Sequence, residues 1–317
     1  MSLRDTRTKL IIDTDPGADD VVALLMALAS PEALDVLGIT TVAGNVQVAK
    51  TSRNARLARE WAGRNDVPVF AGAACPLLRP PVYADDVHGA EGLPLDVYEP
   101  ALGLEPLGAV DFLIDQLGAA EPRSVTLAML GPQTNLALAL SQAPEVARGI
   151  REVVVMGGAH FNGGNITPTA EFNLFADPHA AKAVLEASVP LVYVPLDVTH
   201  KVLTSEHWLS RISGLGNRAG RIVRKILDGY VKFDMEHYGL SGGPVHDAAV
   251  IAYLLAPELF SGRDLYLQID ERTGPGFGQS IADWYGVLRQ APNVHWLSDA
   301  DPDGFFELLV ERLSRLD

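Results

Sequence analysis

Apolar positions along the chain fall into two rhythms. Short β-branched runs are each followed by stretches of helical spacing. Lys9-Leu10-Ile11-Ile12 reads as a buried strand, and Val21 to Ala29 as an apolar helix. Leu34 to Val42 is a second strand. Val48 to Ala62 is then an amphipathic helix, with Ala49, Ala55 and Leu57 toward one side and Arg53, Arg56 and Arg59 toward another. Val67 to Phe70 is a third, short strand. The second half repeats the pattern, with strands at Ser124 to Leu130, Glu152 to Met156 and Leu191 to Pro195. Helices at Thr134 to Ser141 and Pro178 to Ala187 separate them.

Strands alternating with helices predict an α/β fold: an open, mostly parallel sheet flanked by helices on both faces. No fixed-period repeat or low-complexity linker divides the chain, so residues 1–317 are expected to form a single domain. Residues 76–108 and 157–177 are rich in Gly and Pro and read as long loops, which are often functional in compact domains. Residues 206–240 read as a helical pair, spaced by Trp208, Ile212, Ile222, Ile226, Tyr230 and Phe233, that could close over a site.

Composition narrows the partners. The 317 residues carry a net charge of -15, which repels phosphate backbones and argues against nucleic acid. No stretch approaches the roughly 18 apolar residues of a membrane helix. The opening Met1-Ser2-Leu3-Arg4-Asp5 is polar and has no apolar signal-peptide core. The single cysteine, Cys75, rules out an internal disulfide and fits a reducing compartment. A cytoplasmic protein is expected.

The most specific feature is the turn Asp13-Thr14-Asp15-Pro16-Gly17-Ala18-Asp19-Asp20, which follows the first strand and opens the first helix. Ligands of open α/β sheets bind at the carboxyl ends of strands. One or two acids here would read as helix capping, with Asp15 at the cap and Pro16 in the first turn. Four carboxylates in eight residues exceed that need and point to a hard divalent cation, with further oxygen ligands from elsewhere in the chain.

The turn resembles the signature of the inosine-uridine-preferring type of nucleoside hydrolase. The resemblance continues in order along most of the chain, through Thr40-Thr41-Val42-Ala43-Gly44-Asn45, His88-Gly89 and Gly131-Pro132-Gln133-Thr134-Asn135-Leu136. It extends through Asn165, Glu171-Phe172-Asn173, Asp177-Pro178, Leu196-Asp197-Val198-Thr199-His200 and Val245-His246-Asp247. In the late segment Gly274 to Trp284, Phe277 stands where the family usually carries Arg, so subunit contacts or flap support are in question there.

The resemblance implies a nucleoside hydrolase fold with a Rossmann-like core and a bound calcium ion, Ca2+. The implied metal ligands are Asp15, Asp20, Asp247 and the main-chain carbonyl of Leu130. Asp15 is also the implied catalytic base toward water. Asp19 and Asn45 are implied to hold the ribose 2′-hydroxyl, Asn173 the 2′/3′-diol edge, and Asn165 and Glu171 the 5′-hydroxyl. His246 is implied as the acid at the leaving base. His88 and Phe172 are candidates to stack on the base, with Tyr230, His237 and Tyr238 from the helical pair. Asp13, Asp197 and His200 are expected in supporting roles, and Asp177 as a helix cap.

The implied reaction is hydrolysis of the N-glycosidic bond of a ribonucleoside through an oxocarbenium-like transition state, within nucleoside salvage. The family also implies a homodimer or homotetramer. Taken without it, Asn45 and Asn165 read as turn residues, and His246 reads equally as a partly buried histidine near the core. Asp13-Thr14-Asp15 also has the form of a phosphatase nucleophile motif, but that chemistry has no need of Asp19-Asp20 or His246-Asp247.

Overall fold

The computed structural model describes residues 7–238 and 241–317, and the side chains of residues 230–238 lie outside that description. Strand β1 (Thr8–Thr14) leads into helix α1 (Ala18–Leu28), strand β2 (Leu34–Thr41), helix α2 (Val48–Trp61) and strand β3 (Val69–Ala71). Helices α3 (Asp85–His88) and α4 (Ala109–Ala119) precede strand β4 (Val125–Met129), helix α5 (Thr134–Gln142) and strand β5 (Ile150–Met156). Next come α6 (Phe172–Ala176), α7 (Pro178–Glu186), β6 (Leu191–Val194) and α8 (Leu196–Thr199). Helices α9 (Glu206–Ser213), α10 (Arg218–Tyr238) and α11 (His246–Leu255) follow. The chain ends with β7 (Phe260–Leu265), β8 (Leu267–Ile269), β9 (Ser280–Ala282), β10 (Val294–Ala300) and α12 (Pro302–Leu313).

Eight strands form one sheet in the order β3-β2-β1-β4-β5-β6-β10-β7, so the sheet draws on the chain from Thr8 to Ala300. Every pairing is parallel except β10 with β7. The strand β9 instead pairs with β8 in a small antiparallel hairpin. This is the expected fold class.

Strand alternation sends side chains to two cores. Leu10, Ile12, Ala128, Val154 and Met156 pack on one face of the sheet, against α1, α2 and α11. Ile11, Leu127, Met129, Val153 and Val155 pack on the other, against α4, α5 and α7. Helix α1 is buried on every side, which is why its sequence is apolar throughout its last two turns.

From β1 the strand order runs outward in both directions, to β2 on one side and β4 on the other. A doubly wound sheet opens a crevice at such a switch point, above the carboxyl ends of its strands. Thr14 pairs with Thr41, and Asp13 with Met129, so the residues that follow all three strands emerge side by side.

The structure differs from the sequence reading in four places. Helix α1 starts at Ala18 rather than Val21, so Asp19 and Asp20 are its first turn. The stretch read as loop at 157–177 contains α6, and the one at 76–108 contains α3. Residues 260–300 form four strands that the pattern did not disclose. The expected helical pair at 206–240 exists as α9 and α10, but the side chains of Tyr230, His237 and Tyr238 lie outside the described residues. Among the described residues, no helix is long and apolar enough to cross a membrane.

Candidate active site

The end of β1 delivers three side chains to three separate tasks. Asp13 supports from behind: its Oδ2 accepts from Thr40 Oγ1 at 2.6 Å and Asn135 Nδ2 at 2.8 Å. Burial pushes its carboxyl up to about 7. Thr14 Oγ1 donates to Asp20 Oδ1 at 2.5 Å. Asp20 Oδ2 accepts from the Gly17 N–H at 2.9 Å and from Asn45 Nδ2 at 3.0 Å. Gly17 therefore caps α1, not Asp15 as the sequence suggested, and Pro16 precedes the helix.

Asp15 is thereby released for another use. Its Oδ2 accepts from the Asn45 backbone N–H at 2.7 Å. Its carboxylate is wedged between Gly44 and Gly131, where a Cβ on either glycine would fall inside 3.0 Å of it. Among the described residues, the buried Asp15 Oδ1 has no hydrogen-bond partner.

Asp247, in the first turn of α11, approaches from the far end of the chain. Carboxylate oxygens of Asp19, Asp20 and Asp247 lie within 4.8 Å of one another. Burial raises Asp15 and Asp247 well above the usual carboxylate range, and the neighbouring aspartates push the same way. Burial raises Asp20 as well, against its hydrogen bonds from Thr14 and Gly17.

Buried carboxylates that press on one another favour a cation among them. The donors are all oxygens, which suits a hard divalent ion. The orphaned Asp15 Oδ1 points to the same missing partner. The tightest trio contains Asp19, whereas the sequence reading had Asp15 with Asp20 and Asp247.

The opposite wall is built from the strand β4 end and α6. The Leu130 carbonyl accepts from Asn173 Nδ2 at 2.7 Å. Glu171 caps α6: its carboxylate accepts from the N–H groups of Asn173 at 2.8 Å, Leu174 at 3.1 Å and Gly158 at 3.1 Å. Burial nevertheless pushes Glu171 up to about 7. Asn165 Oδ1 accepts from the Phe172 N–H at 2.9 Å, so Asn165, Glu171 and Asn173 are braced as one unit.

Asp197 accepts from the N–H groups of His160, Phe161 and Asn162 and fixes the stretch leading there. Asp177 caps α7 as expected, accepting from Ala180 N–H at 3.0 Å. Phe277 packs beneath a guanidinium from elsewhere. Arg79 lies 4.9 Å from its ring centre and 4.4 Å from that of Phe175 on α6.

Three histidines converge on the remaining side. His88 Nδ1 accepts from the Ala18 N–H at 3.1 Å, at the start of α1. Burial pushes His88 down to about 4, so it is neutral at pH 7. His246 opens α11, with Nδ1 2.7 Å from Thr199 Oγ1. Burial, followed by His200 and His88, holds His246 well below the ordinary histidine range. His200 was expected to support from a distance, yet its ring centre is 5.7 Å from that of His246 and it faces the same cavity.

That cavity holds about 110 Å³, room for several water molecules. It brings together Asp19, Asn45, His88, Leu130, Asn165, Glu171, Phe172, Asn173, His246 and Asp247, all named from sequence. Asp15 and Asp20 are not on its lining and lie beneath Asn45, which hydrogen-bonds to both. Sequence reasoning missed Ala84, Asp86, Val87, Met156 and Ile166, which complete the wall. Val87, beside His88, and Ile166, beside Asn165, carried a signal of place.

The geometry agrees with what the chain is similar to. It is 47% identical over 309 residues, 97% of its length and 99% of the relative's, to an uncharacterised protein of Schizosaccharomyces pombe. It is 40% identical over 306 residues, 96% of each chain, to the pyrimidine-specific ribonucleoside hydrolase RihB of Escherichia coli. A solved plant nucleoside hydrolase, PpNRh1, superposes with a TM-score of 0.88 at 31% identity, covering 97% of this chain and 99% of that one. A purine-preferring ribonucleoside hydrolase from Gardnerella vaginalis superposes with a TM-score of 0.89 at 29% identity, covering 97% and 98%. Residues 10–307 match the inosine-uridine preferring nucleoside hydrolase family, and the chain belongs to that family of ribonucleoside-hydrolysing enzymes.

Proposed function

We propose that the protein cleaves the N-glycosidic bond of ribonucleosides with the help of a calcium ion, releasing ribose and the free base. Asp15, Asp20, Asp247 and the Leu130 carbonyl would hold the ion. The observation that carries this reading is the buried carboxylate group above β1, with Asp15 Oδ1 lacking any hydrogen bond among the described residues. A bound calcium ion supplies positive charge among these carboxylates and lowers the pKa of water beside them.

The chain's own groups do the rest. Asp15 would take a proton from the attacking water. Asp19 and Asn45 receive the 2′-hydroxyl, Asn173 the 2′/3′ edge, and Asn165 with Glu171 the 5′-hydroxyl. Asn both donates and accepts, which matches a hydroxyl. The carboxylates stabilise the positive charge that grows on the sugar. His88 and Phe172 flank the base. His246, held neutral, offers the leaving base a hydrogen bond rather than a stored proton.

Uridine and cytidine are the first substrates to try, because RihB is named pyrimidine-specific. A cytoplasmic homodimer or homotetramer acting in nucleoside salvage is part of the same proposal. The exposed Phe161, Tyr285 and Val287 give a subunit contact apolar surface to cover.

The test is ribose release from inosine, uridine, cytidine and adenosine by the wild type and Asp15→Ala, with and without chelator. Release that disappears with the substitution and with the chelator is expected. Ribose release that survives chelation would remove the metal from the mechanism, and phosphate release from a phosphate-ester control would replace the reading with a phosphatase.

A further inference from the structure

We infer that Thr199 is a positioning residue: its hydroxyl donates to His246 Nδ1 and so holds the imidazole proton on Nε2, the ring's other nitrogen. This rests on the reading of His246 as the group at the leaving base. Thr199 ends α8 and His246 begins α11, and the two meet across 47 residues of chain. Thr199 is fully buried. The Oγ1 to Nδ1 distance is 2.7 Å, the ordinary length of a firm hydrogen bond.

Heavy-atom positions leave the donor undecided, but the surroundings decide it. A buried hydroxyl hydrogen needs an acceptor. Among the described residues, His246 Nδ1 is the only hydrogen-bond partner that Thr199 Oγ1 has. The Pro195 carbonyl one turn back accepts from the Thr199 backbone N–H, at 3.1 Å, and among the described residues makes no hydrogen bond with Thr199 Oγ1. The hydroxyl hydrogen therefore points at Nδ1. A nitrogen that accepts carries no proton of its own, so the ring's proton sits on Nε2.

The consequence is chemical. A base leaving the ribose gains electron density on its ring nitrogens or oxygens and needs a donor. The other tautomer would present a lone pair and repel it. Second-layer partners of this kind are typically worth roughly 10-fold to 100-fold in activity.

The experiment compares Thr199→Val, which keeps the shape and removes the hydroxyl, with Thr199→Ser, which keeps the hydroxyl. Each is assayed on uridine and inosine and on p-nitrophenyl riboside, whose leaving group departs without a donor. Thr199→Val is expected to lower kcat on nucleosides by about 10-fold to 100-fold, with KM nearly unchanged. It should leave p-nitrophenyl riboside cleavage at the wild-type rate, and Thr199→Ser should restore the nucleoside rate. Equal loss on both substrate classes, or no loss on either, would overturn the inference.

Nitrogen-15 spectra of histidine-labelled wild type decide the same point without a variant, since a protonated Nδ1 on His246 would overturn it. His246→Asn separates the two layers of argument. If that variant slows both substrate classes alike, the role of His246 itself falls; if it slows only nucleosides while Thr199→Val slows neither, Thr199 alone is misread.

Discussion

The calcium site proposed at the buried carboxylates above β1 predicts a folding stability that depends on calcium. Asp15, Asp20 and Asp247 are each buried and raised, so without a cation they relieve their mutual repulsion by holding protons, which a bound ion displaces. An ion that binds the folded chain alone stabilises it by about 2.7 kcal/mol at 100 times its Kd. Unfolding entropy is roughly 2.1 cal/mol/K per residue near 60 °C. Over 317 residues that amounts to about 0.67 kcal/mol/K. Free calcium at 100 times Kd should therefore raise Tm by about 4 °C over chelated protein. Calorimetry with and without EDTA measures the shift, and titration with calcium gives the Kd that sets its size. Asp247→Asn should abolish most of the shift while leaving the far-ultraviolet spectrum intact, because the amide fills the same space in the first turn of α11 and removes only the charge. A Tm that ignores calcium in the wild type, or an undiminished shift in Asp247→Asn, would refute the reasoning.

Other consequences follow from single contacts. Gly131→Ala would drive a Cβ into the Asp15 carboxylate, and a displacement of about 1 Å at a reacting group can cost 100-fold; kcat should fall by that order while Tm moves little, and near-normal turnover would mean Asp15 is not the base. Glu171 should give wild-type stability a pH slope. Its carboxyl is raised from 4.5 to about 7, so this contribution is fully present below pH 4.5 and is lost as pH rises toward 7. The loss is about 3 kcal/mol, an order of magnitude only. Denaturant melts from pH 5 to 8 should show Glu171→Gln with a flatter profile than the wild type, and parallel profiles would count against a neutral Glu171. The hydroxyl-binding set of Asp19, Asn45 and Asn173 should reject 2′-deoxyuridine by about 10⁴-fold in kcat/KM, and equal turnover of uridine and deoxyuridine would deny the 2′-hydroxyl its assigned contacts.

What the sequence disclosed, and what it withheld, follows from how the site is made. Many of the groups stand past a strand: Asp15 after β1, Asn45 after β2, Leu130 after β4, Glu171 in the stretch after β5 and Thr199 after β6, whereas His246 and Asp247 open α11, which follows a helix. Locating strands by their apolar runs therefore also located the site, because a parallel sheet delivers all its carboxyl ends to one edge. Two kinds of feature escaped that logic. Short elements made by a cap rather than by periodicity were unreadable, as with five-residue α6, which exists because Glu171 binds its free N–H groups. Strand β7 was hidden too, since its four middle residues are exposed and carry no apolar alternation. The second kind is pairing between distant side chains. Asp13 with Asn135 spans 122 residues, and Thr199 with His246 spans 47. A strand end fixes where a backbone emerges, but which hydroxyl meets which ring nitrogen depends on packing over several helices. The carboxylates that would hold the ion were thus legible as a motif, while the tautomer of the histidine beside them is a property of the packed fold.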